Sequence, residues 1–489
     1  MDHLLERAKH VHFVGIGGIG LSAIARVLYA RGYRVSGSDA RQTALTEELD
    51  SLGMTVSIGH RKEHVQGADL IIASSAVHPD NPEILAGQQA GIPVAKRAEI
   101  LGEMMAGKIG IAVAGTHGKT TTSALIAFVL TEARLDPSYV VGGTLQDFGT
   151  NARHGNGPHF VIEADEYDHT FLGLLPNIAV VTVIEMDHPD CFRDLDEITG
   201  AFERFLHQLP DDGAAVGCAD QPRVRQLLER LHRDRGIEVV TYGLEHEADW
   251  TVDKVQPNAW GGSDFEVMRQ GAPVGRCCLR LPGLHNVANA LAVLAVIDRL
   301  DLDMELVLTL VSRFNGVARR FELKGEAKGI AVVDDYAHHP TQIRATLAAA
   351  RRRYGRRPIW VFFQPHTYSR TKVLLHEFAA SFDDADHVIV SEIYAARERD
   401  SLGISAGDLV QLMRHRDVRL VTTLQDAIDE LCAALRPGDV LLTLGAGDGY
   451  RVGEAVLRAL CNDIERGNPA ADGQVLDRPV LHEVANSGP

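Results

Sequence analysis

The sequence predicts an α/β protein made of three domains in series. Three features point to it. The 489 residues exceed one ordinary hydrophobic core, short β-branched runs alternate with helical stretches, and two of those runs end in glycine-rich turns that open helices. A 45% hydrophobic share gives each unit material for an interior. Changes in the pattern place boundaries near 107 and 318, giving units 1–107, 108–318 and 319–466.

The first unit contains VHFVGI, YRVSGSD, MTVSIG, DLIIASSAV and IPVAKR, separated by helical stretches. Strand–helix alternation of this kind predicts a parallel, doubly wound, Rossmann-like sheet. The second unit starts at IGIAVAGTHGKTT and continues through HFVIEADE, NIAVVTVIE, AAVGCAD and EVVTYG, predicting a central P-loop-type ATPase sheet. Its segment CCLRLPGLHNVANALAVLAVIDRL turns from strand to helix at Pro282-Gly283. The third unit opens near Arg319 and holds IAVVDDYAHHP, PIWVFFQPH, HVIVSEI, VRLVTT and DVLLTLGAG, again Rossmann-like. From 467 to 489 the chain is rich in Gly, Pro and Asn without periodicity, and disorder is expected there.

A formal charge of −17 argues against a broad nucleic-acid surface, which needs a basic face. Anionic small ligands remain accessible, because local Lys, Arg and backbone N–H groups hold them. The absence of an apolar run near the ~20 residues of a bilayer span predicts no membrane insertion. The start, MDHLLERAKHVHFVGIG, lacks the layout of an export signal. Six scattered cysteines without CxxC spacing fit free thiols better than a disulfide frame or zinc site. A cytoplasmic protein is expected, as a monomer or homodimer.

Two phosphate signatures occur in one chain. Gly15-x-Gly17-x-x-Gly20, with Asp39 some twenty residues on, has the dinucleotide pattern, in which glycines and a helix N-terminus face a pyrophosphate. The second is Gly115-Thr116-His117-Gly118-Lys119-Thr120-Thr121, a shortened phosphate loop in which Val113 stands at the usual first glycine. There Lys119 is suited to β/γ phosphates and the Thr120 hydroxyl to Mg²⁺. Two acidic strand ends, EADEYD and IEMDHPD, supply Glu163 and His188 as metal-ligand candidates, although strand-end acids serve equally often as helix caps.

The combination GTHGKTTT, EADEYD, MDH, LPGLHNVANA, RRFE, DDYAHHPT and FQPHTYSRT resembles the Mur ligases, ATP-dependent amide-forming enzymes of peptidoglycan assembly. The resemblance spans about Val11 to Ala459, and PHTYSRT favours the alanine-adding branch over the peptide-adding one. It implies UDP-N-acetylmuramate, L-alanine, ATP and Mg²⁺ as ligands. It also implies that the first glycine loop cradles the diphosphate of the UDP-sugar rather than NAD. Gly17, Gly18 and Ile19 would serve that diphosphate, with Ser38, Asp39 and Ser75 lining the same cleft. Lys119 would contact phosphates, and Thr120, Glu163 and His188 would ligate Mg²⁺. His285 and Asn286 would meet the adenine, Asp335 the ribose, and Arg320 the phosphates. Tyr336, His366 and Arg370 would receive the amino acid, and Lys119, Arg320, His338 and Arg370 would carry the catalysis.

The chain departs from the family pattern in two places. Some members position a second Mg²⁺ with a carbamylated lysine, whereas no lysine lies between Lys119 and Lys254 here. Gln342 follows HHPT where glutamate is expected.

Overall fold

The computed structural model describes residues 3–467. Residues 468–489, nearly all of the segment expected to be disordered, lie outside it. Three sheets follow one another along the chain. The first is parallel: β1 (His10–Val14), β2 (Arg34–Asp39), β3 (Thr55–Ile58), β4 (Leu70–Ala73) and β5 (Val94–Lys96), in spatial order β3-β2-β1-β4-β5. The order reverses beside β1, so the glycine turn after β1 opens onto a crevice at the carboxyl ends of the strands.

The second sheet comprises β6 (Ile109–Ala114), β7 (Ser138–Leu145), β8 (Thr150–Arg153), β9 (His159–Glu163), β10 (Ile178–Val181), β11 (Ala214–Cys218), β12 (Glu238–Tyr242), β13 (Trp250–Pro257), β14 (Ser263–Arg269) and β15 (Ala272–Leu279). Its order is β15-β14-β13-β12-β11-β10-β6-β9-β7-β8. Because β10, β6 and β9 are parallel neighbours, the phosphate loop and both acidic strand ends emerge side by side. The sheet is mixed: β13–β15 form an antiparallel meander, and β8 pairs antiparallel with β7.

The third sheet is β16 (Glu322–Ala327), β17 (Ile330–Asp335), β18 (Ile359–Phe363), β19 (His387–Ser391), β20 (Val418–Val421) and β21 (Val440–Leu444), in order β16-β17-β21-β18-β19-β20. Only the β16–β17 pair is antiparallel.

Burial explains which strands are visible in the sequence. β1, β10, β11, β17, β18 and β21 are buried along their whole length, as strands covered on both faces must be, and most read as near-continuous apolar runs, although β1 also buries His10 and His12 and β17 ends on Asp334 and Asp335. β7, β8, β13, β14 and β16 have no such run and were not expected. β13 and β16 alternate or expose charged positions such as Asp253, Lys254 and Glu326. The Lys119–Glu132 helix is buried from Thr120 to Leu130, because it lies between its sheet and the Leu284–Arg299 helix.

The cores are distributed unequally. Phe13, Ile24 and Met104 of the first unit share one apolar cluster with Phe160, Phe171 and Phe202 of the second. At this seam the chain backbones touch: a Cβ on Gly102 would collide with the carbonyl of Gly173. A second core around Phe128, Leu294 and Phe314 belongs to the central unit alone. The two clusters that cover the third sheet draw only on residues between Phe321 and Leu460. Among the described residues, no helix is long and apolar enough to cross a membrane.

Candidate active site between the three domains

The first glycine turn is tied to β2. Gly15 and Ile16 donate their N–H groups to the Ser38 carbonyl at 2.8 and 3.0 Å, and Gly17 donates to Asp39 Oδ2 at 2.9 Å. A Cβ at position 17 would lie 2.9 Å from both the Asp39 carboxylate and Thr46, so any larger residue would displace them. Gly18 caps the Ile19–Ala30 helix, whose Ile19 side chain is exposed. Ser75 is exposed just beyond β4. Ser38 behaves differently from the expectation. Its side chain is fully buried and bonds Glu83 at 2.5 Å and His60 at 2.9 Å, so only its backbone shapes the turn. From Ile19 and Arg97 a cleft of about 490 Å³ runs to Gly142, Glu163, Arg320 and Tyr336.

The second loop forms on the αL conformation of Gly118 (φ +83°), which turns the chain into the Lys119–Glu132 helix. Thr116 anchors the loop to the end of β10 through the Val183 and Glu185 carbonyls. Lys119 Nζ donates to the Gly115 carbonyl at 2.6 Å and to both oxygens of Glu166 at 2.8–2.9 Å. Burial works against its charge, yet Glu166, Asp165 and Glu163 outweigh that and raise its pKa. Thr120 donates to Glu163 Oε1 at 3.1 Å and accepts from Arg320 Nη2 at 3.0 Å. Burial raises the Glu163 pKa against the opposing pull of Lys119 and Arg320. His188, in a left-handed backbone conformation (φ +52°), directs Nε2 towards Glu166 at 3.8 Å.

Beside this loop a pocket of about 370 Å³ is lined by Thr121, His285, Asn286, Tyr242 and Asp335, among others. Asn286 is held by the Pro282 carbonyl at 2.7 Å. Asp335 reaches the pocket wall, but its carboxylate is already occupied. It accepts from the backbone of Phe321 and Ala337 and from the Thr346 hydroxyl, at 2.9–3.1 Å. Burial lifts its pKa to about 6, despite Arg320 nearby. Its position thus staples the entry of the third unit.

The third unit brings its groups across a gap of about 280 Å³ that also touches Lys119, Glu163 and His188. Arg370 and Asp187, both buried, pair at 2.7 Å. Despite burial, Arg370 and the nearby histidines hold the Asp187 carboxyl well below its usual range. Arg370 also donates to His366 Nδ1 at 3.0 Å. Burial and that guanidinium push the His366 pKa down to about 3. His338 donates Nδ1–H to the Tyr336 carbonyl at 2.7 Å, which leaves its Nε2 lone pair free to accept. Burial and Arg370 hold its pKa well below normal, so the ring is neutral. The Tyr336 ring lies against both Arg319 and Arg320.

His339 gives a pH dependence of known sign. Burial lowers its pKa from 6.5 to about 4. As pH falls from 6.5 to about 4, the unfolded chain therefore takes up a proton that the folded chain refuses. Stability is expected to fall by at most about 3 kcal/mol over this window from His339 alone. Thermal unfolding of His339→Asn should show a correspondingly flatter acid limb than the parent.

Family models match the chain in order: "Mur ligase family, catalytic domain" at 10–109, "Mur ligase middle domain" at 113–297 and "Mur ligase, glutamate ligase domain" at 319–447. The chain belongs to the Mur ligase family. Among the Mur ligases it is 46% identical over 458 residues to a UDP-N-acetylmuramate–L-alanine ligase of Geobacter sp. (strain M21), covering 93% of this chain and 98% of that one. It is likewise 46% identical over 458 residues to the Myxococcus xanthus enzyme of the same name, covering 93% and 96%. The solved UDP-N-acetylmuramate–alanine ligase of Thermotoga maritima is 30% identical and superposes with a TM-score of 0.78, covering 93% of this chain and all of that one. A murein peptide ligase from Psychrobacter arcticus is 25% identical, with a TM-score of 0.72 over 93% and 99% of the two chains.

Several groups at this Mur ligase site escaped the sequence reading. Glu166 and Asp187 lie inside quoted motifs, and their place just past buried strands was an available signal. Arg97 pairs with Asp165 at 2.8 Å, and Arg397 pairs with Asp190 at 2.7 Å while lying 4.0 Å from the centre of the Tyr167 ring. Neither arginine stands in a recognisable pattern. Gly142 donates to Glu163 at 2.7 Å, and a Cβ there would collide with that carboxylate. It sits on β7, a strand without a sequence signature.

Proposed function

We propose that this chain is an ATP-dependent ligase that joins L-alanine to the lactyl carboxylate of UDP-N-acetylmuramate, releasing ADP and phosphate, in peptidoglycan precursor synthesis. The reading rests above all on the meeting of two phosphate-type glycine loops and the His338–His366–Arg370 group around connected clefts. The names of the relatives support the choice of substrates. Units 1–107, 108–318 and 319–466 would respectively bind the UDP-sugar, bind ATP, and close over ATP while admitting the amino acid. With nucleotide substrates of this kind the enzyme would work in the cytoplasm.

The chemistry has two steps. The lactyl carboxylate oxygen attacks the γ-phosphorus, the bond to the β-phosphate oxygen breaks, and ADP leaves. The alanine nitrogen then attacks the acyl carbon, the acyl C–O bond breaks, phosphate departs and the nitrogen gives up protons. Two anions must approach in the first step, and Lys119 and Arg320 would offset their repulsion. His338 would offer Nε2 to the amine as a hydrogen-bond acceptor, orienting its lone pair. Arg370, fixed by Asp187, would hold the alanine side of the cleft.

Thr120, Glu163 and His188 suit Mg²⁺, being hard oxygens with one imidazole. All three line the same gap, where the carboxylates of Glu166, Asp165 and Glu163 raise the Lys119 pKa, so the local field favours positive charge there. When bound, the ion would neutralise phosphate charge.

The test is phosphate release from ATP and UDP-N-acetylmuramate with L-alanine, with an L-Ala-D-Glu-diamino-acid tripeptide, or with no amine. Release dependent on L-alanine, with a product heavier by one alanyl unit, is expected. Release dependent on the tripeptide would move the enzyme to peptide ligation. No acceptor-dependent release would overturn the reading.

A further inference from the structure

Gln342, the departure from the family pattern, stands between the third unit and the ATP loop. Its Oε1 accepts from the backbone N–H groups of His338 and His339 at 3.0 and 3.2 Å, capping the Pro340–Tyr354 helix. Its amide cannot be reversed without facing two donors with a donor, so Nε2 points the other way. There it lies 3.0 Å from His117 Nδ1. The second ring nitrogen of His117 lies 3.0 Å from Glu185 Oε2. Glu185 also accepts from the Thr341 hydroxyl at 2.7 Å. Burial opposes its charge, but these partners hold its pKa down to about 2, so it is ionised and only accepts.

One arrangement of protons satisfies every group. His117 carries its hydrogen on Nε2 and donates to Glu185, and its Nδ1 lone pair accepts from the Gln342 amide. His339 fits the same scheme, with Nδ1 accepting from the Thr341 N–H at 3.3 Å and Nε2–H donating to the Met186 carbonyl at 3.1 Å. The chain of bonds runs from the backbone of His338 through Gln342 to the phosphate loop and on to the end of β10.

We propose that Gln342 is a positioning residue: it docks the third unit on the ATP loop by donating to the neutral, Nε2-protonated form of His117. Glutamate could cap the helix equally well, because it offers the same acceptor to His338 and His339. It cannot donate to His117 Nδ1. The amide therefore adds a function at this position that capping alone does not require. The inference rests on reading the Gly115–Thr120 loop as the ATP site.

Gln342→Glu tests it with almost no change of shape. The introduced carboxylate faces the Nδ1 lone pair of His117, and KM for ATP is expected to rise about tenfold, the usual effect of an unpaired buried polar contact. Because the contact docks the third unit rather than touching the reacting atoms, kcat at saturating ATP should be much less affected. Gln342→Met, which keeps the length of the side chain but offers no N–H donor, should raise KM for ATP in the same way, and thermal melts of both variants verify folding. An unchanged KM for Gln342→Glu, or a loss confined to kcat, would overturn the proposal. Failure of the parent enzyme to release phosphate would instead overturn the ATP reading, so the two failures are distinguishable.

Discussion

Lys119→Ala is expected to lower kcat at saturating ATP by two or more orders of magnitude. The ammonium sits at the mouth of the loop among Glu163, Asp165 and Glu166, which together keep it charged despite burial. In the proposed reaction its loss would remove a charged contact to the transferring phosphate, an effect of about 10²–10³ at comparable sites. It also leaves three carboxylates facing an incoming polyanion without their counter-charge, so KM for ATP should rise as well. Glu166 holds the lysine through two short hydrogen bonds, which keeps the cation aimed at the loop when no phosphate is there to hold it. Steady-state kinetics at saturating ATP decide the matter. Near-parental kcat would remove Lys119 from the reaction.

Arg370→Ala is expected to be the second severe change, and for a different reason. Arg370 and Asp187 are 183 positions apart in sequence and belong to different units, yet both are buried. Deleting one member of a buried pair strands the other, at a typical cost of about 3–5 kcal/mol. Part of this should appear as looser docking of the third unit and part as a higher KM for L-alanine, since the guanidinium also fixes His366. Lysine cannot substitute, because Nε serves Asp187 while Nη1 serves His366, two directions that one ammonium cannot satisfy. A double-mutant cycle with Asp187→Ala should show strong coupling: removing both groups should cost less than the sum of the single changes. Additive losses would mean that the pair does not act as a unit.

Local and long-range features differ in how far they are written in the amino-acid sequence. Parallel central strands such as β18 (IWVFF) and β21 (VLLTL) were legible because burial on both faces writes a near-continuous apolar run. β13, β14 and β16 were not, because sheet pairing at a partly exposed edge needs no such run. The glycine loops were legible because their backbone geometry constrains residue type locally. Ser38 and Asp335 show the limit of that logic. Both stand at strand ends near a cleft, but the neighbouring folds of the chain claim their side chains: Glu83 and His60 take the Ser38 hydroxyl, and Phe321, Ala337 and Thr346 take the Asp335 carboxylate. Likewise, the Arg370–Asp187 and Gln342–His117 contacts join residues far apart in the chain, and no local pattern encodes such a pairing.

The unequal division of the apolar cores bears on how a catalytic cycle can proceed. Separating the first two units would expose Phe13, Phe160 and Phe171 to solvent, so that seam resists opening. The seam with the third unit includes Arg320–Thr120, Gln342–His117, Arg370–Asp187 and Arg397–Asp190, contacts that water and ions can replace one by one. In the proposed reaction, spent nucleotide and product would leave through this side: a hydrophilic zipper that can hydrate open and re-form around the next set of substrates, while the apolar seam would keep both glycine loops in register.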